Sequence, residues 1–282
     1  HALKNADEEE DAISTNVNCS GCKFPFFVID EVSKLAETDE DILEIVGDCR
    51  RKFYLFMGHR VRSVNQKRAI DKIKRETKER CQEGKGGDEA LVVIDFKMKF
   101  EATYFREKTV DHYGKRGISW HGALIQYFTY DVVARQVVLQ REYFDDIIFS
   151  DNKEDASLVV GILEHLLQRV KKHLPQVRNI TLQSDNARSC TATDLMVIIP
   201  VLSIVHGVQI TRFIHTETQD GKSLLDAHFA TATRWVREYL KEGHNDLTAS
   251  QLVAALRSYG GLPNTLVEVV RHDRAQTEIL LE

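Results

Sequence analysis

The stretch NITLQSDNARSC, Asn179–Cys190, sets the problem of this chain. An apolar, strand-like run beginning at Asn179 ends in a bare carboxylate, Asp185, followed by Asn-Ala-Arg. Asp and Asn are ordinary turn and helix-capping residues, so on its own Asp185 reads as the start of a turn. With a second acid beside it, the same position becomes a ligand for a hard cation.

A second acid stands in a similar setting upstream, in LVVIDFKMKF (Leu91–Phe100). Alternation puts Val93, Asp95, Lys97 and Lys99 on one face of this strand and Val92, Ile94, Phe96, Met98 and Phe100 on the other. A carboxylate among apolar residues on a central strand is costly unless it is paired, hydrogen-bonded or metal-bound. A salt bridge to a nearby Lys or Arg answers that need as well as a metal does. Two carboxylates on adjacent strand ends, however, repel unless a divalent cation lies between them.

Whether the two are adjacent depends on the order of elements. Ala90–Phe100, Gly117–Tyr130 and Arg135–Phe144 are alternating or apolar runs rich in Val, Ile, Phe and Tyr, which predicts three strands, the last two joined as a hairpin through 131–134. An amphipathic helix follows, with Val159, Ile162, Leu163, Leu166, Leu167, Val170 and Leu174 on one side; Asp151 or Asn152 can cap it and Pro175 follows it. Then come a strand ending at Ser184, a helix at about 192–205, a strand at 208–215 and a helix at about 223–240. Short connections make the first three strands antiparallel, and each later strand arrives through a helix, giving a parallel neighbour by a right-handed crossover. The expected sheet is mixed and five-stranded, flanked by helices. If the fourth strand docks beside the first, Asp95 and Asp185 meet at their carboxyl ends.

The bulk numbers agree with a water-soluble α/β protein. The chain has 282 residues, 43% hydrophobic and 29% charged, and no apolar run nears the roughly 18 residues of a membrane span. Its first residue is His1, and we expect it to be part of something longer. Five cysteines, unevenly placed, do not make a secreted disulfide framework, so a reducing compartment, cytosol or nucleus, is expected. A formal charge of −5 confines any attraction for nucleic acid to local basic patches.

Before the sheet, residues 1–17 with the acidic run Asp7–Asp11 read as a disordered tail, and 18–88 as a helical segment. Two helices are expected there, one over 28–49 and a basic one from about 53 to 81. The glycine cluster EGKGGDE at 83–89 marks the boundary to a core at 89–242, followed by a helical C-terminal extension at 243–282. Cys19 and Cys22 form a CxxC, half of a zinc site that Cys49 and His59 could complete, or else free thiols. The basic helix, with Arg60 and Arg62, is either a DNA-backbone contact or a solvated face. DGKS at 220–223 is not a nucleotide loop, because Thr216 stands where its first Gly is needed.

VVIDF, LQSDNA and DGKSLLDAHFA together resemble the RNase H-like catalytic core of DDE/DDD transposases and integrases, the eukaryotic cut-and-paste transposases in particular, over residues 89–242. The resemblance implies a third acid on the helix after the fifth strand. Asp226, at the edge of the stripe Leu225, Phe229, Ala232 and Val236, is the choice, with Glu217 and Asp220 as competitors. It further implies Mg2+ or Mn2+ held by Asp95, Asp185 and Asp226, with Asp95 bridging two ions, for DNA cleavage and strand transfer in the nucleus. The partners would be transposon ends and target DNA, engaged by a homodimer or higher oligomer. Arg188, Lys222 and Lys97 are the candidate phosphate contacts near these acids, and His228, two positions after Asp226, could orient the site. His121 reads as a packed core residue. A 3′–5′ exonuclease of the same fold is a second reading, but Lys97 stands where such enzymes carry the Glu of Asp-x-Glu. A catalytically silent DNA-binding or assembly module is a third.

Overall fold

A computed structural model describes residues 20–277, apart from 37, 104, 109, 111, 112, 114, 116, 150–152, 218–223, 246, 247 and 276. The chain divides into two compact units, 1–64 and 65–282.

In the first unit, helix α1 (Ser20–Ala36) is followed by the start of α2 (Glu40–Gln82). Asp39 caps α2 by accepting a hydrogen bond from the Ile42 N–H at 3.1 Å. The expected division into helices at 28–49 and 53–81 is corrected: the break lies before Glu40, and α2 runs unbroken to Gln82. Nothing between Cys49 and Phe53 is a helix breaker, whereas Thr38-Asp39 offers a cap.

The second unit is built on one mixed sheet. Its strands are β1 (Glu89–Phe100), β2 (Ile118–Asp131), β3 (Gln136–Phe149), β4 (Asn179–Asp185), β5 (Gln209–Thr216) and β6 (Thr265–Arg271). The spatial order is β5-β4-β1-β2-β3-β6. β1–β2 and β2–β3 pair antiparallel, while β1–β4, β4–β5 and β3–β6 are parallel. The first five strands have the RNase H-like arrangement that the sequence order demands.

The sixth strand corrects the expectation of five, and the 243–282 segment is a helix plus a strand. TLVEVVR is a short apolar run without helical spacing. It follows a Gly260-Gly261-Leu262-Pro263 turn and covers the otherwise open edge of β3. The glycine cluster at 83–89 joins α2 to β1. Gly84 and Gly87 turn the chain at positive φ, but Arg80 at the end of α2 pairs with Glu89 at the start of β1 (Nη2 to Oε2, 2.5 Å), tying that helix end to the sheet.

Four more helices flank the sheet: α3 (Ala156–His173), α4 (Thr193–His206), α5 (Leu224–Lys241) and α6 (Ala249–Arg257). On one face Leu163, Leu166 and Leu167 of α3 and Leu195 and Ile199 of α4 bury against Val92, Ile94, Ile125, Phe144 and Leu182. On the other, Leu225, Phe229, Ala232 and Val236 of α5 and Leu252 and Leu256 of α6 bury against Trp120, Leu124, Ile147 and Val267. Sandwiched between them, β2 is buried from Ile118 to Tyr127. The α3 cap is Asp155, whose Oδ1 accepts from the Leu158 N–H at 3.2 Å; the expected caps Asp151 and Asn152 lie outside the described residues. Alternation along β1 fails at its end. A register shift between Lys97 and Phe100 turns Phe100 into the cluster of Trp120 and Leu225, away from the Ile94 face. Among the described residues no helix is long and apolar enough to cross a membrane.

Candidate functional site

β1 and β4 pair in parallel with Val93 opposite Gln183, so two residues further on Asp185, the last residue of β4, comes level with Asp95 inside the longer β1. Asp185 also makes the turn expected of it: its Oδ1 accepts the Ala187 N–H at 3.1 Å. The turn and ligand readings of this residue are therefore compatible, because one oxygen closes the turn and the other remains for a second partner.

Asp226 arrives by a different device. Gly122 of β2 pairs with Asp95, and a Cβ at Gly122 would lie 2.6 Å from the Phe229 ring. The missing side chain lets α5 settle onto the sheet, with Asp226 about one turn before Phe229. Asp95 senses both other acids there. Burial, then the charges of Asp185 and Asp226, push Asp95 up to about 6, against the opposing pull of His121 and the Phe96 N–H.

A cleft of about 360 Å3 opens beside Asp95 and Asp185, lined also by His121, Glu154, Arg188 and Cys190. Three of these escaped the sequence reading. Glu154 precedes α3 and accepts a hydrogen bond from Ser119 Oγ at 3.0 Å; in sequence it is one acid among several before a helix. Cys190 is buried, its thiol pushed up by burial, then by the charges of Asp185 and Asp95, with Ser184 and Ser189 opposing. His121 is buried as expected, yet it faces this cleft, edge-on to Phe96 at 5.1 Å. Its Nδ1 stands 3.6 Å from Asp146 Oδ2. Asp146 is itself fixed by Arg169 Nη1 at 2.5 Å and His165 Nδ1 at 3.1 Å.

The other candidates are scattered around this centre. Lys97 is half-buried, its ammonium 5.1 and 5.3 Å from the Phe100 and Trp120 ring centroids. Burial and then the charge of Arg237 lower its pKa. His228 turns inward: its Nε2 meets Asp145 Oδ2 at 2.8 Å and its ring stacks on Tyr143 at 4.1 Å. Glu217 follows β5, its N–H donated to Gln66 Oε1 at 2.9 Å. Arg60 and Arg62 are exposed on α2 in the first unit. Lys222, Asp220, Cys19 and the side chain of Cys22 lie outside the described residues. A second cavity, about 370 Å3, lies at the amino ends of β1 and β4, where Arg80 and Glu89 neutralise each other.

Carboxylates are the donors a hard divalent cation takes, and a cation beside Asp95 would offset the charges of Asp185 and Asp226 that act on it. Among the described residues, however, no three His, Cys, Asp or Glu side chains stand close enough together to hold a metal ion.

A family model described as Domain of unknown function (DUF8701) matches residues 72–277, which hold all six strands and all three acids. The chain belongs to this family. No curated protein matches it. Among solved structures, the DUF8701 chain is similar to the mariner Mos1 paired end complex with Mg, at 11% identity, 87% of this chain, 81% of that one and a TM-score of 0.28. It is also similar to a pre-cleavage Mos1 transpososome, at 13% identity, 93% and 82% coverage and a TM-score of 0.26. Likeness of this degree carries no inference about chemistry.

Proposed function

We propose that this chain is the catalytic core of a DDE/DDD-type DNA transposase, with Asp95, Asp185 and Asp226 as ligands for Mg2+ or Mn2+. The observation that carries the reading is that Asp95, inside β1, stands level with Asp185 at the end of β4 in an RNase H-like sheet and feels the charges of both Asp185 and Asp226. Two bound ions would supply an activated water or 3′-hydroxyl and a stabilised leaving oxygen for in-line attack on a phosphodiester. Asp95, on which the charges of both other acids act, would be the shared ligand. Arg188 offers a guanidinium at the mouth of the cleft, and Lys97 an ammonium on the same strand as Asp95. Both suit phosphate oxygens rather than bases, so they would position a DNA strand without reading its sequence. Transposon ends and target DNA, met in the nucleus by an oligomer of the chain, are the corresponding partners.

A catalytically silent, transposase-derived module is the second reading. It is favoured by one observation: Asp185 and Asp226 are exposed and no finished ligand shell is formed among the described residues.

Incubation with Mn2+, a labelled donor DNA end and a supercoiled target separates the readings. The proposal expects nicked and joined products that vanish with EDTA and in Asp95→Ala. A silent module shifts the mobility of DNA and yields no products. An exonuclease releases mononucleotides from free 3′ ends and never joins strands.

A further inference from the structure

Helix α1 is apolar on two opposite sides. One side faces α2, where the Phe26 ring lies 5.0 Å from Phe53 and 4.5 Å from Tyr54. The opposite side carries Phe24, Val28, Val32 and Leu35, spaced i, i+4, i+8 and i+11, with Phe27 alongside. That spacing makes one continuous stripe. It is open to solvent: Phe24 is 64% exposed, Phe27 59% and Leu35 84%.

The first unit lacks the core that would make such a surface tolerable. Among its described residues Val46 is the only large apolar side chain that is buried. Two helices share one interface and cannot cover a second apolar side, and a unit of 64 residues buries so small a share of its surface that its stability alone is marginal. We infer that the outer stripe of α1 docks on the same hairpin of a second copy of this chain, forming a four-helix bundle and a dimer.

Area and charge point to a second copy. With Ile45, Tyr54, Leu55 and Phe56 of α2 also open, the hairpin leaves apolar surface in water on the order of the ~800 Å2 per partner that a stable interface buries. Its charges are of both signs and paired locally, Lys34 with Glu31, Arg50 with Asp30, and Arg51 and Lys52 with Asp48. An identical hairpin therefore meets no field of like charge. A twofold axis would cover both stripes in one step. Helix α4 has an open stripe too, Val197, Val201, Ile204 and Val205, but its opposite side is already packed in a large core. The inference stands apart from the nuclease reading, since it uses none of the acids.

Sedimentation of the full chain at micromolar concentration tests it. The wild type is expected at twice the 32.3 kDa of one chain, and a Val28→Glu, Leu35→Glu variant at that single mass with its circular dichroism unchanged. Ile204→Glu, on α4, is expected to remain dimeric. If the double variant loses helicity, the milder Leu35→Ser decides, with an expected weakening of the dimer of about tenfold or more. A monomeric wild type, a dimer that survives the α1 substitutions, or a dimer broken by Ile204→Glu would each overturn the assignment; the last makes α4 the interface.

Discussion

Asp185, at the end of β4, stands level with Asp95 inside the neighbouring parallel strand β1, carried there by the register that places Val93 opposite Gln183. Two like charges so arranged cost stability whenever no cation separates them.

Relief of that repulsion gives the first prediction. Asp95→Asn is expected to raise the melting temperature of the metal-free protein, by roughly 2–4 °C for each kcal/mol relieved. Mg2+ or Mn2+ is expected to raise the wild type further and to leave the variant unmoved, because only a state that binds the ion gains from it. Scanning calorimetry with and without metal reads both effects. An Asp95→Asn protein that melts below the wild type would show that this carboxylate is held by a structural partner instead.

The identity of the third acid is open to a paired substitution. Asp226→Ala is expected to lower DNA cleavage by two orders of magnitude or more, about 2.7 kcal/mol of barrier. Asp226 is exposed, so the same change is expected to move stability by no more than about 0.5 kcal/mol. Glu217→Ala is expected to keep cleavage near the wild-type rate. Strand-nicking kinetics reversing that order would transfer the role to Glu217.

Gly122 connects packing to the site. Gly122→Val must push Phe229 away, an overpacking cost of about 1–3 kcal/mol, and with Phe229 goes the helix that carries Asp226. Cleavage is expected to fall by more than urea unfolding accounts for. A variant in which activity and stability fall together would mean that the site rides out the shift.

The buried cluster at Asp146 sets the acid limb of stability. Burial alone would raise this carboxyl, but the nearby His121, the hydrogen bond with His165 and the charge of Arg169 outweigh it and hold the group well below the usual carboxylate range. A depressed folded pKa contributes stability that is complete above the unfolded value, about 3.9, and fades as pH falls below it toward the folded one. Asp146→Asn strands a buried guanidinium. It is expected to cost about 3–5 kcal/mol at neutral pH and to flatten the decline in stability between about pH 4 and 2. Urea midpoints measured across that range check the slope.

The sheet was legible because period and order both survive in sequence: apolar alternation marks β1 to β3, and helices between β3, β4 and β5 force parallel neighbours. Asp185 was legible for the same reason, since a strand that ends in an acid fixes where the acid will stand, and Asp95 because a carboxylate amid an apolar strand requires a partner. β6 was not, because seven residues of unpatterned apolar chain gain meaning only from the open edge of β3. Nor were Glu154 and Cys190, whose place in the cleft comes from the folding of distant segments and leaves no spacing behind. His121 was read correctly as buried, but alternation cannot tell a residue sealed inside a sheet from one at the sheet's end. His228 stood two residues from Asp226 in sequence and so looked like a neighbour. On a helix that offset points it to the other side, toward Asp145.

The three acids are drawn from β1, β4 and α5, far apart along the polypeptide. A chain emerging from the ribosome, or one clipped before residue 224, owns the first two and has no platform for the third. If the proposed chemistry holds, half-made copies are harmless to the genome around them, and the capacity to cut appears in a single step when the last helix lands.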